Sequence, residues 1–216
     1  MRPTAVLFDL DGTLTDPMEG ITKSVQHALR RQGIDVRDRR SLCRFIGPPL
    51  YESFRRYYAM DDTQARRAVS DYREVFAVSG LYDNTMYPGI PLLLKALREA
   101  GTPVALATLK PAVFAERILA HFGLRDSFVA VAGSALHERH VTKAEIIAAA
   151  LESLPAAVRG GAVMVGDRDA DVAGAHDNGL PCIGVLYGYG VPEELACADR
   201  TAHTVEQLSR ILLDEF

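Results

Sequence analysis

Five short apolar runs, each separated from the next by a stretch with helical spacing, constrain this chain more than any other feature. They fall at residues 4–10, 103–108, 128–132, 161–165 and 181–186 and read as buried strands. Strands alternating with helices in this way imply a parallel sheet with helices packed on it, an α/β, Rossmann-like core. The helices carry their own punctuation. Pro91 and Pro111 fit the first turns of helices that end before Gly101 and Gly123, and Thr142 is placed to cap the next. That third helix presents Ile146, Ile147, Ala150 and Leu151, and the last runs from about Thr204 with Val205, Leu208, Ile211 and Leu212 as its apolar stripe.

Residues 16–83 break the alternation. No strand pattern appears there, and Ile21, Val25, Ala28 and Leu29 mark one helix, with others expected over residues 38–45 and from about Leu50 and Asp62. We expect an all-helical cap subdomain at 16–83 inserted into a core made of 1–15 and 84–216. The chain's 216 residues suit one domain with an insertion, at roughly 150 residues per domain. Gly47-Pro48-Pro49 is the clearest break within the insert, either a helix connector or a loop facing a site.

The net charge of -4 argues against a nucleic-acid polymer as partner, while leaving room for a local cationic pocket that takes a small phosphorylated molecule. Cys43, Cys182 and Cys197 are odd in number and far apart, with no Cys-x-x-Cys pair, so a reducing, cytoplasmic setting is expected. No apolar run approaches the roughly 18–20 residues of a membrane span. The apolar start is cut by Asp9 before it could form a signal-peptide core.

Candidate chemistry collects at the ends of the expected strands. Asp9 and Asp11 are two apart at the end of the first, so period-two alternation turns both carboxylates to one side at the edge where open α/β sheets bind ligands. A hairpin at Asp11-Gly12 would need a second strand immediately afterwards, and residues 15–20 do not supply one. A calcium loop fits badly, because the glycine directly follows the second Asp. In Gly166-Asp167-Arg168-Asp169-Ala170-Asp171, Asp169 reads as a cap or first-turn residue, whereas Asp167 and Asp171 could serve a hard cation. Thr108, followed by Lys110-Pro111, suits an anion seat, although Thr108 also reads as a plain strand residue and Lys110 as a surface charge. Lys143 alone reads as a solvated lysine near a helix start. Together these groups supply a nucleophile, a proton shuttle, a magnesium seat and donors for charge on a transferred group, the requirements of phosphoryl transfer to water.

The order and spelling of these segments resemble the haloacid dehalogenase superfamily, phosphatase branch. Asp9-Leu10-Asp11-Gly12-Thr13-Leu14-Thr15 resembles its first motif, Ala107-Thr108 its second, Lys143 its third and the 166–171 run its fourth. The resemblance spans essentially the whole chain. Phe45-Ile46-Gly47-Pro48-Pro49-Leu50 and Gly184-Val185-Leu186-Tyr187-Gly188-Tyr189-Gly190 look like the phosphoglycolate phosphatase-like group and its 5′-nucleotidase-like members. His137-Glu138-Arg139-His140 departs from the spelling of the nucleotidase-like members, and both histidines read as exposed loop residues.

The resemblance implies that Asp9 attacks phosphorus and forms an aspartyl-phosphate, while Asp11 protonates the leaving oxygen and later deprotonates water. It implies Mg2+ held by Asp9, the Asp11 backbone carbonyl and Asp167, with Asp171 binding directly or through a neighbour. Thr108 and Lys143 would hold phosphoryl oxygens. The helical cap would close over the site and carry specificity, with Gly47 and Pro48 first and Arg44 as a reader of a substrate's acidic end; Lys23, the insert's lone lysine, also reads as a surface charge. The expected substrate is a small phosphorylated metabolite and the expected assembly a monomer or homodimer. A phosphomutase of the same superfamily and a non-catalytic phosphometabolite-binding protein are the alternatives.

Overall fold

The computed structural model describes residues 2–136 and 141–215; His137 and His140 lie outside the described residues. Two compact units are distinguishable, one formed by Met1–Asp16 with Met86–Phe216 and the other by Pro17–Thr85.

In the first unit the opening apolar run forms β1, Ala5–Phe8, in which every residue is buried. A strand buried on both faces belongs at the centre of a parallel sheet. β1 ends earlier than its apolar spelling suggests, because the chain folds back on the Leu10 carbonyl, which accepts the N–H groups of Leu14 (2.9 Å) and Thr15 (3.1 Å). Gly12 makes this possible with φ of +85°, a left-handed conformation that side chains disfavour. The next two strands, β2 at Thr15–Asp16 and β3 at Thr85–Met86, pair with each other. They correct the expectation that residues 15–20 supply no strand and that none appears within 16–83, since β2 covers Thr15 and Asp16. Two residues are too few to show a period.

The second unit is helical: α1 Met18–Arg31, a 3-10 segment Arg39–Phe45, α2 Leu50–Tyr58, α3 Asp62–Val75 and a π turn Phe76–Gly80. Ile21, Val25, Ala28 and Leu29 line the buried face of α1, at the spacing read from the sequence. Phe45 packs its ring 5.0 Å from that of Phe54 and 5.4 Å from that of Tyr57. An Asp61–Gln64 capping box starts α3.

Back in the first unit, α4 Ile90–Glu99 carries Pro91 in its first turn as expected, and β4 covers Val104–Pro111. Pro111 stands at the N-cap of α5, Ala112–His121, one place before the first turn. β5 Ala130–Ser134, α6 Lys143–Glu152, α7 Ala156–Arg159, β6 Ala162–Gly166, α8 Asp169–Asp177 and β7 Cys182–Val185 follow. Thr142 caps α6 through Oγ1, which accepts the Glu145 N–H at 3.2 Å, while Glu145 accepts the Thr142 N–H at 2.7 Å. The chain closes with β8 Arg200–Ala202, α9 Val205–Arg210 and a π turn Ile211–Glu215. Two of the three β8 residues are exposed, so no apolar run marks it in the sequence.

The sheet order is β5-β4-β1-β6-β7-β8, with every neighbouring pair parallel. Val6 of β1 aligns with Val104 on one side and Val163 on the other. The strand order therefore reverses at β1, and the C-terminal ends of β1, β4 and β6 lie side by side, the place where open α/β sheets bind ligands. Beneath that edge, Leu7, Ala105 and Met164 form a core with Ile147 of α6 and Ala175 of α8. A core of this kind resists truncation: cutting Ile147 to Ala would cost about 2–5 kcal/mol. No helix among the described residues is long and apolar enough to cross a membrane. No disulfide joins Cys43, Cys182 and Cys197, all of which are among the described residues.

Candidate active site

Asp9 is the first residue past β1, and its backbone N–H donates to Val165 O of β6 at 2.9 Å, extending the ladder by one rung. Its side chain is buried beside Lys143, whose Nζ is 2.6 Å from Asp9 Oδ1 and 2.7 Å from Asp171 Oδ1. Lys143 is the first residue of α6, an unfavourable place for a cation because the helix dipole is positive there. Burial presses its ammonium toward neutrality, but Asp171 and Asp9 outweigh that and raise its pKa. The solvated reading of Lys143 is thereby corrected: its side chain is 4% exposed and joins two carboxylates brought from distant parts of the chain.

Asp171 sits one turn into α8, where its Oδ2 accepts the Arg168 N–H at 3.0 Å. Burial pushes its carboxyl up to about 6, against the pull of Lys143. Asp167 follows β6 directly and is fully buried. Its Oδ2 accepts the Tyr189 N–H at 2.7 Å, while Oδ1 has no hydrogen-bond partner. Burial, then the nearby Asp171 and Asp9, hold the Asp167 carboxyl well above the usual carboxylate range. Asp169 stays out of this cluster as an exposed first-turn residue, its Oδ1 accepting the Ala170 N–H at 2.8 Å.

Asp11 lies in the loop after β1, buried, with Oδ2 in contact with Lys110 Nζ and Oδ1 unpartnered. Burial raises its pKa and Lys110 opposes the rise. Lys110, weighed from sequence as a surface charge, is a buried partner of Asp11 with 6% side-chain exposure. Thr108 is buried on β4, and its Oγ1 accepts the Lys110 N–H at 3.3 Å.

Asp9, Asp167 and Asp171 each offer a carboxylate oxygen, and these atoms lie within 4.8 Å of one another. An all-oxygen set suits a hard cation such as Mg2+. Two observations make the fit. Asp167 Oδ1 is buried with nothing to bond, and the three buried carboxyl groups of Asp9, Asp167 and Asp171 are matched by one buried ammonium, that of Lys143, an excess of acidic oxygen that a divalent ion would balance. The wall behind Asp167 is backbone: a Cβ on Gly188 would stand 2.3 Å from Gly12 O and 2.5 Å from Asp167 Oδ2. Tyr187 reinforces this wall by donating its hydroxyl to Thr13 O at 3.0 Å, and the Tyr189 hydroxyl contacts Asp16. Residues 187–189 thus form a supporting layer that their spelling does not reveal, because its partners Thr13, Asp16 and Asp167 come from other segments.

The remaining candidates lie in the helical unit. Arg44 stacks its guanidinium 4.4 Å from the Tyr57 ring centroid. Gly47 adopts φ of +102°, and Gly47 and Pro48 form the link into α2. Lys23 is held by Asp83 at 3.0 Å and Glu19 at 3.3 Å, a surface ion pair.

The chain is similar to known proteins over most of its length. The family model described as haloacid dehalogenase-like hydrolase matches residues 6–185. The chain is 47% identical over 209 residues to a 5′-nucleotidase of Pseudomonas aeruginosa, covering 94% of each chain. It is 39% identical over 205 residues to the tyrosine-protein kinase PtkA of Mycobacterium tuberculosis, covering 94% of this chain and 68% of that one. Among solved structures, a predicted phosphatase from Clostridium acetobutylicum superposes with a TM-score of 0.93 at 45% identity, over 99% of both chains.

Proposed function

This chain belongs to the haloacid dehalogenase-like hydrolase family and is a phosphatase within it, and we propose that it is a Mg2+-dependent phosphomonoesterase working through an aspartyl-phosphate on a small metabolite, phosphoglycolate-like or a 5′-nucleotide. The observation that carries this reading is the buried carboxylate of Asp9, held by Lys143 and set beside Asp167 and Asp171 at the ligand-binding edge of the sheet.

In the first step an Asp9 oxygen bonds to phosphorus as the bond from phosphorus to the ester oxygen breaks, and Asp11 delivers a proton to that leaving oxygen. In the second, Asp11 takes a proton from water as its oxygen bonds to phosphorus and the Asp9–phosphorus bond breaks, releasing inorganic phosphate and restoring both carboxyl groups. Lys143 and the Thr108 hydroxyl hold oxygens of the transferring group, where negative charge grows in the transition state. Asp9, the Asp11 carbonyl, Asp167 and Asp171 would hold Mg2+, which when bound supplies neutralisation of the repulsion between carboxylate and phosphate. Leaving-group choice we assign to Arg44, Gly47 and Pro48 of the helical unit, and a cytoplasmic setting completes the reading.

Phosphate release from phosphoglycolate, 5′-nucleotides and sugar phosphates, with Mg2+ or with EDTA, tests the reading with wild type beside Asp9→Asn. Metal-dependent release from wild type and none from the folded variant is expected. Near-normal release from Asp9→Asn would sink the covalent mechanism. A requirement for a bisphosphate activator would favour a phosphomutase.

A further inference from the structure

Asp11 has to present one carboxyl oxygen to the leaving group, so the rotation of that carboxyl has to be fixed by a partner. The partner comes from β4. Lys110 Nζ contacts Asp11 Oδ2, both side chains are at most 10% exposed, and Asp11 Oδ1 is left buried without a hydrogen bond.

Lys110 reaches Asp11 because β4 is irregular where it should have ended. Thr108 aligns with Gly133 of β5 and Pro111 with Ser134, so Leu109 and Lys110 have no opposite residues and bulge from the ladder. Bulges turn a side chain to a direction the regular pleat does not offer. This one is buttressed from β5. The Ser134 hydroxyl donates to Leu109 O at 2.9 Å, and a Cβ on Gly133 would stand 2.7 Å from Lys110 O and 2.8 Å from Ala112 N. The Lys110 N–H meanwhile donates to Thr108 Oγ1 at 3.3 Å, so one residue ties down both the shuttle and the phosphoryl-binding hydroxyl.

We propose that Lys110 is a positioning residue that holds Asp11 by Oδ2 and so makes Oδ1 the oxygen that exchanges the proton with the leaving group and then with water. The proposal rests on the phosphomonoesterase reading above. Oδ1 gives its proton to the ester oxygen as that oxygen leaves phosphorus, and receives one from water in the second step; Lys110 keeps its own protons throughout.

The test is a series of substituted phenyl phosphates of graded leaving-group acidity, assayed with Mg2+ for wild type, Lys110→Met, Lys110→Arg, Asp11→Asn and the Lys110→Met/Asp11→Asn double variant. The readout is the slope of log kcat/KM against leaving-group pKa, because kcat/KM reports the step in which the ester bond breaks. General acid catalysis contributes about 10²–10⁴-fold, so Lys110→Met should lose ~10–100-fold with the least acidic phenols and less than ~3-fold with the most acidic. The slope should steepen toward that of Asp11→Asn, the double variant should be no steeper than Asp11→Asn, and Lys110→Arg should recover part of the wild-type slope. A uniform loss across the series with an unchanged slope, the signature of a merely structural or phosphate-binding lysine, overturns the inference. Should Lys110→Met not fold, Lys110→Gln carries the same comparison. A folded wild type that hydrolyses neither this series nor the metabolite panel overturns the phosphatase reading itself, a different result from an active wild type whose slope ignores Lys110.

Discussion

Lys143 at the start of α6 places its ammonium 2.6 Å from Asp9 Oδ1 at the end of β1, binding the proposed nucleophile to a helix from far along the chain. This ion pair serves both folding and chemistry. Lys143→Met removes a donor to the transferring group, and kcat should fall about 10²–10³-fold. It also leaves buried carboxylates without their cation, a loss of about 3–5 kcal/mol when one partner of a buried pair is removed. Urea unfolding with and without Mg2+ checks this: the deficit should be largest with EDTA and partly recovered by the metal.

Asp167→Asn should separate stability from metal binding. The Asn carbonyl can keep the Tyr189 N–H bond, while the desolvated charge disappears. The metal-free variant should melt at a higher temperature than metal-free wild type. Stabilisation by Mg2+, about 2.7 kcal/mol at a hundredfold excess over Kd for an intact site, should shrink toward zero. Thermal melts across a Mg2+ titration decide it.

Gly188→Ala should damage the same site from behind. The added methyl would stand 2.5 Å from Asp167 Oδ2 and 2.3 Å from Gly12 O, so the loop or the carboxylate must shift. Overpacking of this sort costs about 1–3 kcal/mol. Calorimetric Mg2+ titration should show weakened binding, whereas Ala at Gly33, which has open space around it and positive φ, should destabilise without altering metal affinity.

Asp199, which is not one of the clustered site carboxylates, gives a separate pH signature. Its Oδ2 accepts the Cys182 N–H at 2.8 Å and meets His176 Nε2 at 2.9 Å, and these bonds lower its pKa, the backbone bond first. A depressed carboxylate contributes stability that is present above its unfolded pKa of about 3.9 and is lost as pH falls through the folded value. Asp199→Asn should therefore be less stable than wild type at pH 7, and the gap should close on acidification below about pH 4. Melting temperatures of the two proteins from pH 7 to pH 3 provide the comparison.

What was legible in the sequence was local. Val6, Leu7 and Phe8 announce a buried strand by composition, Thr142 is placed to cap a helix, and Asp9 and Asp11 are close enough for their common edge to be inferred. The unread parts depend on distant partners. Lysines are ordinarily solvated, and nothing near Lys110 or Lys143 in sequence shows that Asp11 and Asp9 wait across the sheet. The bulge at Leu109–Lys110 is likewise a property of pairing with β5, and β8 forms because β7 offers it an edge, Ile183 aligning with Arg200 and Val185 with Ala202, the β8 residues being largely exposed.

The central place of β1 has a consequence for synthesis. Its pairing residues, around Val104 and Val163, leave the ribosome long after Val6 does. With elongation at about 5–20 residues per second, the first strand spends seconds as an unpaired apolar segment. The helical unit Pro17–Thr85 is completed in that interval, before either flanking strand has been made. The carboxylates that follow β1 thus stay hydrated in the nascent chain, and their desolvation is deferred until the lysines that balance them have been synthesised.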